Sequence, residues 1–340
     1  MKVYELEKGC TDLNGLKLVE RPRPAAGARA VIARMRAASL NFRDLMVLSG
    51  RYFGGTVQRN TVPLSDGAGE VVEIGAEVTR FKVGDRIAGT FFRNWVDGPP
   101  IASEARPALG SPVDGVLAEY VAFDQHDAVL VPRNLSFEEA ATLPCAGVTA
   151  WHALMAAGRP IQAGDSVLVQ GTGGVSIHAL QFARAAGARV LATSSSDAKL
   201  ERARALGADT LINYQKTPNW AEEVLKMTGG RGVDCVVEVG GAGTLAMSMQ
   251  AVACAGKIAL IGVLTGVQAE NLGPHAIMRK GANMHGIFVG NRAMFEQMNL
   301  AIEVNRIKPV VGRIFAFDEA AAAYEHLRAQ AHFGKVVITI

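Results

Sequence analysis

Apolar positions change their spacing along the chain near residue 125. Before it, short β-type runs broken by Gly and Pro occur at 31–38, 69–74, 85–89 and 118–123. After it, apolar runs alternate with helical patterns, and the runs lie at 166–170, 189–194, 210–214, 233–239, 257–262 and 284–290. Continuous apolar strands that alternate with helices are typical of a parallel sheet covered on both faces. The second part is therefore predicted to be a doubly wound α/β domain with a six-stranded parallel sheet.

The last fifty or so residues do not extend that alternation. Two helix patterns follow residue 291, the second over 318–329, and a final β-type run covers 335–340. A completed six-stranded sheet has no position for that strand, so we expect it to return to the first domain. The predicted organisation is a β-rich domain at 1–125, a nucleotide-binding domain at 126–290 and a return segment at 291–340.

One long segment of the first domain, 91–114, is irregular and rich in Gly and Pro. A loop of this length in a compact domain is usually functional or disordered. Phe91, Phe92 and Trp95 open it. They either line a pocket for flat or apolar molecules or anchor the loop, and the sequence favours anchoring.

A glycine-rich turn gives the clearest chemical signal. The strand at 166–170 runs directly into it, and an amphipathic helix pattern follows and ends at Gly187. Strand, tight turn and helix together place a dinucleotide pyrophosphate on free backbone N–H groups at a helix N-terminus. The third glycine of the G-x-G-x-x-G pattern is replaced by Ser176, a position that governs packing more than phosphate contact. The predicted cofactor contacts here are Gly171, Thr172, Gly173, Gly174 and Val175.

The position that selects between NAD and NADP is Ser194, at the end of the second strand of this domain. A carboxylate there would accept from the ribose 2′-hydroxyl and repel a 2′-phosphate, and serine does neither. Ser195 and Ser196 add hydroxyls, Lys199 adds a cation, and Asp197 argues against phosphate binding. The serines are equally suited to capping the next helix. These residues favour NADPH over NADH.

Composition restricts the class of protein without identifying it. Apolar residues make up 49% of the 340 positions, charged residues 20%, and the net charge is +3, which does not indicate nucleic-acid binding. The four cysteines are scattered and form no C-x-x-C pair, which suits a reducing compartment. No signal-peptide core or membrane-length apolar run is present, so we expect a soluble cytoplasmic protein with no membrane partner.

Motifs over nearly the whole chain resemble the medium-chain dehydrogenase/reductase superfamily. Within it, the chain is most similar to the zinc-independent quinone oxidoreductases and the zinc-less alcohol dehydrogenase-like branch. The motifs are Asn41-Phe-Arg-Asp44, the segment 67–75, Val83-Gly-Asp-Arg86, the segment 143–151, the glycine turn, Ala205-Leu-Gly-Ala-Asp209 and Ile212-Asn-Tyr214. The resemblance implies a GroES-like β-rich catalytic domain joined to a Rossmann domain.

The resemblance also bears on zinc. Zinc dehydrogenases of this superfamily hold the metal with Cys, His and Cys, and the matching positions here are Asn41, Ser65 and Cys145. One thiol, a hydroxyl and an amide do not make a zinc site, even with Asp66 adjacent. The structural zinc lobe is replaced by the segment 91–114, which has no Cys or His. We therefore expect no metal. Arg43 stands where the zinc enzymes carry a Ser or Thr proton relay.

The remaining site residues follow from the resemblance and from strand ends. In the quinone oxidoreductases a Lys and a Tyr bind the 2′-phosphate of the cofactor, and Lys199 and Tyr214 match these two residues. Asn41 resembles the amide at the nicotinamide ribose and substrate, although a turn-stabilising Asn is the alternative. Tyr52 either donates a proton or orients a carbonyl, or is an ordinary tyrosine. Phe288 and Val289 contact the carboxamide or belong to a dimer interface. The other predicted cofactor contacts are Thr149, Gly240, Gly262, Val263 and Leu264.

Three functions remain open at this stage. The favoured hypothesis is an NADPH-dependent reductase of quinones or α,β-unsaturated carbonyls, since these acceptors are electron-poor and need no Lewis acid. A zinc-less alcohol dehydrogenase or ketone reductase is the second. The third is a non-catalytic nucleotide-binding protein, such as a redox sensor or a crystallin-like protein. The resemblance suggests a homodimer formed through the sixth strand.

Overall fold

The computed structural model describes residues 1–102, 105–266 and 274–340. The strands are β1 (Lys2–Leu6), β2 (Leu16–Glu20), β3 (Ala30–Leu40), β4 (Asp66–Ile74), β5 (Arg86–Gly89), β6 (Tyr120–Asp124), β7 (Ala128–Leu130), β8 (Ser166–Gln170), β9 (Arg189–Ser194), β10 (Thr210–Asn213), β11 (Val233–Glu238), β12 (Val252–Leu260), β13 (Asn283–Gly286), β14 (Val311–Phe315) and β15 (Lys335–Thr339). The helices are α1 (Phe42–Leu48), α2 (Phe137–Ala140), α3 (Val148–Trp151), α4 (Gly174–Ala185), α5 (Asp197–Ala205), α6 (Trp220–Met227), α7 (Ala242–Ala251), α8 (Pro274–Lys280), α9 (Arg292–Asn305) and α10 (Ala320–Arg328).

The chain forms two compact units. The first comprises Met1–Val148 and Gly290–Ile340, and the second comprises Thr149–Val289. The first unit thus extends to Val148, whereas the apolar spacing already changes near residue 125. The difference arises because α2 and the π-helical turn at Leu143–Gly147 pack in the first unit, where α2 contacts β3 and β4.

The first unit is built on a sheet that is antiparallel except for the parallel pair β14–β15. Its strand order is β14-β15-β3-β4-β5-β7, and β6 pairs with β3 outside that path. The long strand β3 pairs antiparallel with β4, β6 and β15. The final strand, β15, therefore lies in this sheet beside β3. Apolar side chains from these strands, such as Val31, Leu40 and Ile338, form the core of the unit together with Tyr324 of α10.

The second unit is a six-stranded parallel sheet in the order β10-β9-β8-β11-β12-β13. The order reverses between β8 and β11, and ligands of such sheets bind beyond the carboxyl ends of the strands at this reversal. Residues of β8 are buried on both faces, as a continuous apolar run predicts. The α/β class and the GroES-like plus doubly wound Rossmann architecture predicted from the sequence are confirmed.

Two details of the predicted strands are wrong. β13 ends at Gly286, so Phe288 and Val289 follow the strand and do not end it. Val289 in particular cannot belong to an extended strand, because its φ of 57° is left-handed. β12 ends at Leu260, so Gly262, Val263 and Leu264 lie in the loop after it. That loop still begins at the carboxyl end of the sheet.

The segment 91–114 is anchored to the first unit by its aromatic side chains. Phe91, Phe92 and Trp95 are all buried, and the Arg106 guanidinium lies over the rings of Phe92 and Trp95. The geometry thus favours the prediction that these aromatic side chains anchor the loop. Residues 103 and 104 of the segment lie outside the described residues. Among the described helices, none has the length and apolar character needed to cross a membrane.

Candidate functional site

A buried polar centre lies in the first unit, at the ends of three of its strands. β3 ends at Leu40 and leads into Asn41, which precedes α1. Asp66 begins β4, and Lys335 begins β15. Asn41, Asp66 and Lys335 expose only 9%, 0% and 3% of their surfaces. The antiparallel pairing of β3 with both neighbours brings these three residues together from distant parts of the chain.

The Asp66 carboxylate is satisfied by two hydrogen bonds and a nearby ammonium. Ser65 Oγ donates to Asp66 Oδ1 over 2.6 Å, and the backbone N–H of Cys145 donates to Oδ2 over 3.0 Å. Lys335 Nζ lies 3.9 Å from Asp66 Oδ2. A carboxylate without solvent contact requires such partners, because its desolvation is otherwise costly.

Lys335 binds most closely to the end of β3. Its ammonium donates to the Leu40 carbonyl over 2.6 Å and to Asn41 Oδ1 over 2.5 Å. The backbone N–H of Asn41 donates to Asp44 Oδ2 over 2.7 Å. Among the described residues, Asn41 Nδ2 has no hydrogen-bond partner although it is buried. The centre therefore contains one amide donor that is free to bind another molecule.

Arg43 and Tyr52 form a second part of this site. The Arg43 guanidinium lies 4.7 Å from the ring centroids of both Tyr52 and Phe91, and it donates to the carbonyls of Leu109 and Ser111. Burial raises the pKa of Tyr52, and the Arg43 charge opposes that rise. The sequence motifs identify Arg43 only as the residue that stands in place of a proton relay. Its available signal was a cation next to Asp44 in a short helix whose other positions are apolar.

Burial also raises the pKa values of two groups near this centre, the carboxyl of Asp44 and the thiol of Cys145. It raises the pKa of the Asp44 carboxyl to about 6, although the Arg43 charge and the Asn41 hydrogen bond act in the opposite direction. Burial, with a further contribution from the Asp66 charge, raises the pKa of the Cys145 thiol. Cys145 is accordingly a neutral thiol at neutral pH. A thiol in this state is a poor nucleophile.

In the second unit, the glycine turn has the geometry expected of a phosphate-binding loop. Gly171 has a φ of 69°, Gly173 is the N-cap of α4, and a Cβ on either would meet no atom within 4 Å. The first backbone N–H groups of α4 point toward that open space and have no partner within the helix. Ser176 Oγ donates to the Gln170 carbonyl over 2.6 Å. This bond joins α4 to β8 where a packing glycine would otherwise stand.

The residues expected at the adenosine ribose lie together after β9. Ser194 is buried and its Oγ accepts from the backbone N–H of Ser196. Ser196 caps α5 by accepting from the Lys199 N–H, so one serine of the three serves as a cap. The Tyr214 N–H donates to the Ser194 carbonyl, which brings the half-exposed Tyr214 ring to the same strand end.

The Asp197 carboxylate, which argues against NADPH, is already bound by other groups. Asn213 Nδ2 donates to Asp197 Oδ1 over 2.7 Å, and Lys216 Nζ lies 2.5 Å from Oδ2. These two contacts lower the pKa of Asp197. The charge of Lys216 thus offsets the repulsion that Asp197 would exert on a phosphate nearby.

A second buried carboxylate, Glu238, stands at the carboxyl end of β11 and is absent from the sequence-based site. It has no exposed surface and accepts from Gln170 Nε2, from the hydroxyls of Thr244 and Ser248, and from the N–H groups of Gly240 and Gly241. Its signal was a glutamate that ends a largely apolar strand, one residue before a glycine pair. It fixes the turn that contains Gly240.

The other predicted cofactor contacts occupy different environments. A Cβ on Gly262 would lie 1.8 Å from the Val239 carbonyl, so this glycine permits close packing of two loops. Val263, Leu264 and Phe288 are exposed, whereas Thr149 and Val289 are buried. His152 Nδ1 lies 2.7 Å from the Val289 carbonyl and therefore donates to it. Cofactor contact by these residues stays a prediction.

Comparison with known proteins agrees with this geometry. Residues 27–133 match the model of the alcohol dehydrogenase GroES-like domain, and residues 174–303 match that of zinc-binding dehydrogenase. A zinc-type alcohol dehydrogenase-like protein of Schizosaccharomyces pombe is 47% identical over 91% of this chain and 90% of its own length. The chain belongs to the medium-chain dehydrogenase/reductase superfamily. It is accordingly an oxidoreductase of that superfamily.

Two other relatives widen the range of chemistry within this superfamily. A 2-methylene-furan-3-one reductase of Solanum lycopersicum is 33% identical over 91% of this chain and 71% of its own length. The crystal structure of an NAD-dependent alcohol dehydrogenase superposes with a TM-score of 0.90 at 32% identity and covers all of both chains. The superfamily assignment predicted from the motifs is thus confirmed.

Many members of this superfamily bind zinc, but the residues here do not fit that ion. The three positions that match the zinc ligands hold the amide of Asn41, the hydroxyl of Ser65 and the thiol of Cys145, and zinc needs three N or S donors. Lys335 brings a positive charge to Asp66, the carboxylate that binds the Cys145 backbone N–H. Within 1–102, 105–266 and 274–340, no group of three or more His, Cys, Asp or Glu side chains could hold a metal ion.

A nicotinamide dinucleotide does fit the second unit. The open space at Gly171 and Gly173 admits a pyrophosphate close to the backbone, and the α4 N-terminus favours its charge. Lys199 and Tyr214 lie near the strand end where the ribose of such a cofactor binds. The dinucleotide site predicted from the glycine turn is therefore one that these residues can form.

Proposed function

We propose that this protein is a zinc-independent, NADPH-dependent reductase of quinones or α,β-unsaturated carbonyl compounds. The observation that carries the proposal is the polar centre of Asn41, Asp66 and Lys335, which offers a hydrogen-bond donor and an ammonium instead of a metal cage. Such a centre does not activate a simple alcohol strongly. It suits an acceptor that is already electron-poor, since only modest charge on its oxygen needs stabilising.

The second unit would hold the cofactor. Backbone N–H groups at the start of α4 would bind the pyrophosphate, and Ser194, Ser195, Lys199 and Tyr214 would surround the 2′-phosphate. A nicotinamide dinucleotide bound there supplies a hydride. Burial and the Arg202 charge lower the pKa of Lys199, and a phosphate bound beside it would stabilise its charged form.

The first unit would bind the acceptor. Reduction of an enone adds a hydride to the β-carbon and a proton to the α-carbon, and the negative charge passes through the carbonyl oxygen. The free amide donor of Asn41 would stabilise that oxygen, while Tyr52 would orient the carbonyl or deliver the proton, with solvent as the alternative proton source. Arg43 lies over the Tyr52 ring and would favour its loss of a proton.

The direct test is stopped-flow measurement of NADPH oxidation with a panel of quinones, enones, ketones and aldehydes. We expect turnover of quinones or enones that persists after chelator treatment, in protein whose zinc content is far below one ion per chain. Loss of turnover on zinc removal, or restoration by added zinc, would contradict zinc independence. Tight cofactor binding without turnover of any acceptor would instead indicate a binding protein.

A ketone reductase or alcohol dehydrogenase is the second candidate. It is favoured by the 32% identity and full-length superposition of the NAD-dependent alcohol dehydrogenase. The same panel separates the two functions, because this candidate predicts reduction of simple ketones and reoxidation of the alcohol products. A preference for NADH would favour it further.

The cofactor preference has its own test. Lys199→Ala should reduce kcat/KM for NADPH by about tenfold relative to NADH, because one cation at the 2′-phosphate is lost. Arg202→Ala, one helical turn along α5, serves as a control for general loss of positive charge. An unchanged ratio in Lys199→Ala would remove Lys199 from the phosphate site.

The dimer also stays a proposal. It is supported by β13, which pairs only with β12 among the described strands and so leaves an edge that a second chain can extend. Light scattering on the purified chain tests it. A monomer at micromolar concentration would contradict it.

A further inference from the structure

The position of Lys335 is dictated by strand register. β15 runs antiparallel to β3, with Val336 opposite Leu40, so Lys335 stands beside Asn41. Its side chain is 3% exposed and its ammonium donates to the Leu40 carbonyl and to Asn41 Oδ1. Residues separated by 294 positions in sequence are therefore joined by one buried hydrogen bond.

This hydrogen bond determines which atom of the Asn41 amide is available to a ligand. An ammonium group has donors only, so the amide atom that faces it must be the oxygen. The nitrogen, Nδ2, is then turned away from Lys335. It is buried and unpartnered among the described residues. Rotation of the amide by 180° would place two donors against each other and is disfavoured.

An unpartnered buried N–H group is uncommon, because its lost hydration is not replaced. In a binding site the group is satisfied when a ligand brings an acceptor. Asn41 exposes only 9% of its surface, and its Nδ2 lies in the polar centre described above. The Asn41 amide nitrogen is thus an unsatisfied donor that a ligand oxygen could accept from.

We infer that Lys335 is a positioning residue that fixes Asn41 with its amide nitrogen outward, so that the site presents one hydrogen-bond donor to an acceptor oxygen. The inference deepens the proposed function and rests on it for the identity of the ligand. The oxygen belongs either to the carbonyl of the acceptor substrate or to a ribose hydroxyl of the cofactor. Asp66 has a lesser part, since its 3.9 Å separation from Lys335 is longer than a hydrogen bond.

The decisive variant is Asn41→Asp, with Asn41→Leu beside it. A carboxylate at this position still accepts from Lys335 but has no donor, while leucine removes both functions at similar volume. We expect both variants to fold and to lose about tenfold or more in affinity or kcat/KM. An Asn41→Asp variant with wild-type affinity and turnover would overturn the inference.

Two measurements separate the two possible oxygens. Titration of NADPH by fluorescence gives the cofactor Kd, and steady-state kinetics give kcat and KM for the acceptor. A raised Kd with unchanged acceptor kinetics at saturating NADPH assigns the donor to the ribose. A lowered kcat with unchanged Kd assigns it to the substrate carbonyl.

The role of Lys335 is tested by combining Lys335→Gln with Asn41→Leu. If Lys335 acts through Asn41, the double variant should be no worse than Asn41→Leu alone, because the amide is no longer there to be positioned. Additive losses in kcat/KM would show that Lys335 acts independently and would overturn the inference. Thermal melting of every variant separates these effects from instability, and the Asn41 variants test the donor even where Lys335→Gln does not fold.

Failure of the proposed function can be distinguished from failure of the inference about Asn41. If the wild-type protein reduces no acceptor, the NADPH titration still tests whether Asn41 donates to the bound cofactor. An unchanged Kd in Asn41→Asp would then overturn the inference, whereas a raised Kd would support it without any turnover.

Discussion

In the described part of the chain, each unit buries one carboxylate without solvent contact, and the two are stabilised in different ways. Asp66 in the first unit has an ammonium, that of Lys335, within 3.9 Å, together with two hydrogen bonds. Glu238 in the second unit accepts from five donors that are all uncharged, and among the described residues it has no ion-pair partner. The first carboxylate belongs to a charged centre, and the second organises a loop.

The difference reflects how each site is built. In the second unit the proposed binding groups are backbone N–H groups, and the buried carboxylate fixes the turn that contains Gly240. In the first unit the proposed binding groups are side chains, and their charges compensate one another across strands. We therefore expect substitutions in the first unit to change charge balance, and those in the second to change backbone geometry.

The strongest test of this contrast is Lys335→Met. Removal of the ammonium takes away the cation 3.9 Å from the buried Asp66 and both hydrogen bonds that Lys335 donates, which should lower the unfolding free energy by about 3–5 kcal/mol. Urea titration followed by tryptophan fluorescence measures it. Adding Asp66→Asn to the same chain should restore most of the loss, because the uncompensated charge is then gone. A cost below about 1 kcal/mol would show that the centre does not depend on charge pairing.

Asp44 provides a pH test of the same centre. Burial raises its pKa to about 6 in the folded protein, compared with about 4 in an unfolded chain. Below pH 4 the Asp44 carboxyl is protonated in both the folded and the unfolded protein, so it does not affect the unfolding free energy. As the pH rises toward 6, the unfolded chain ionises it first, and the unfolding free energy falls. The penalty at pH 7 is about 3 kcal/mol, or two pKa units.

Asp44→Asn removes that penalty and keeps an oxygen that can accept from the Asn41 N–H. The unfolding free energy of this variant relative to wild type should rise by about 3 kcal/mol between pH 4 and pH 7. Denaturant titrations at both pH values provide the measurement. A difference between variant and wild type that does not change with pH would mean that Asp44 is ionised in the folded protein throughout this range.

Glu238→Gln tests the buried carboxylate of the second unit, which is bound only by uncharged donors among the described residues. The substitution keeps the shape but replaces one acceptor oxygen with a donor nitrogen among groups that already donate, namely Gln170, Thr244, Ser248 and two backbone N–H groups. We expect a loss of about 2 kcal/mol, smaller than for Lys335→Met. A weakened NADPH affinity should accompany it if the Gly240 turn contacts the cofactor. Loss of more stability than Lys335→Met would reverse the proposed order.

The two sites also differ in how well the sequence predicts them. The glycine turn is local, since residues 166–187 alone specify strand, turn and helix, and the parallel sheet follows from the spacing of the apolar runs. The polar centre is not local. Asn41 is identifiable from its motif, but its contact with Lys335 depends on the pairing of β15 with β3, which no short pattern encodes. Glu238 was missed because one of its partners, Gln170, lies 68 residues away in β8, although the other four lie at 240–248.

The glycine turn itself gives a matched pair of variants. Gly173 has an ordinary φ of −78° and open space at its Cβ position, so Gly173→Ala should leave stability within about 0.5 kcal/mol of wild type. The added methyl group would occupy the space expected for the pyrophosphate and weaken NADPH binding by about tenfold. Gly171→Ala should cost about 1 kcal/mol of stability in addition, because its φ of 69° strains any residue with a Cβ. Unchanged NADPH affinity in Gly173→Ala would place the cofactor elsewhere.

The smallest expected effect concerns the surface charge beside the ribose site. Lys216 pairs with Asp197 and reduces its repulsion toward a 2′-phosphate, so Lys216→Ala should lower the preference for NADPH over NADH by about two- to threefold. Added salt should reduce the effect, because both groups are exposed. Asp197→Asn should act in the opposite sense and raise the preference. If both substitutions shift the ratio of kcat/KM in the same direction, Asp197 acts through the fold of α5 and not through its charge.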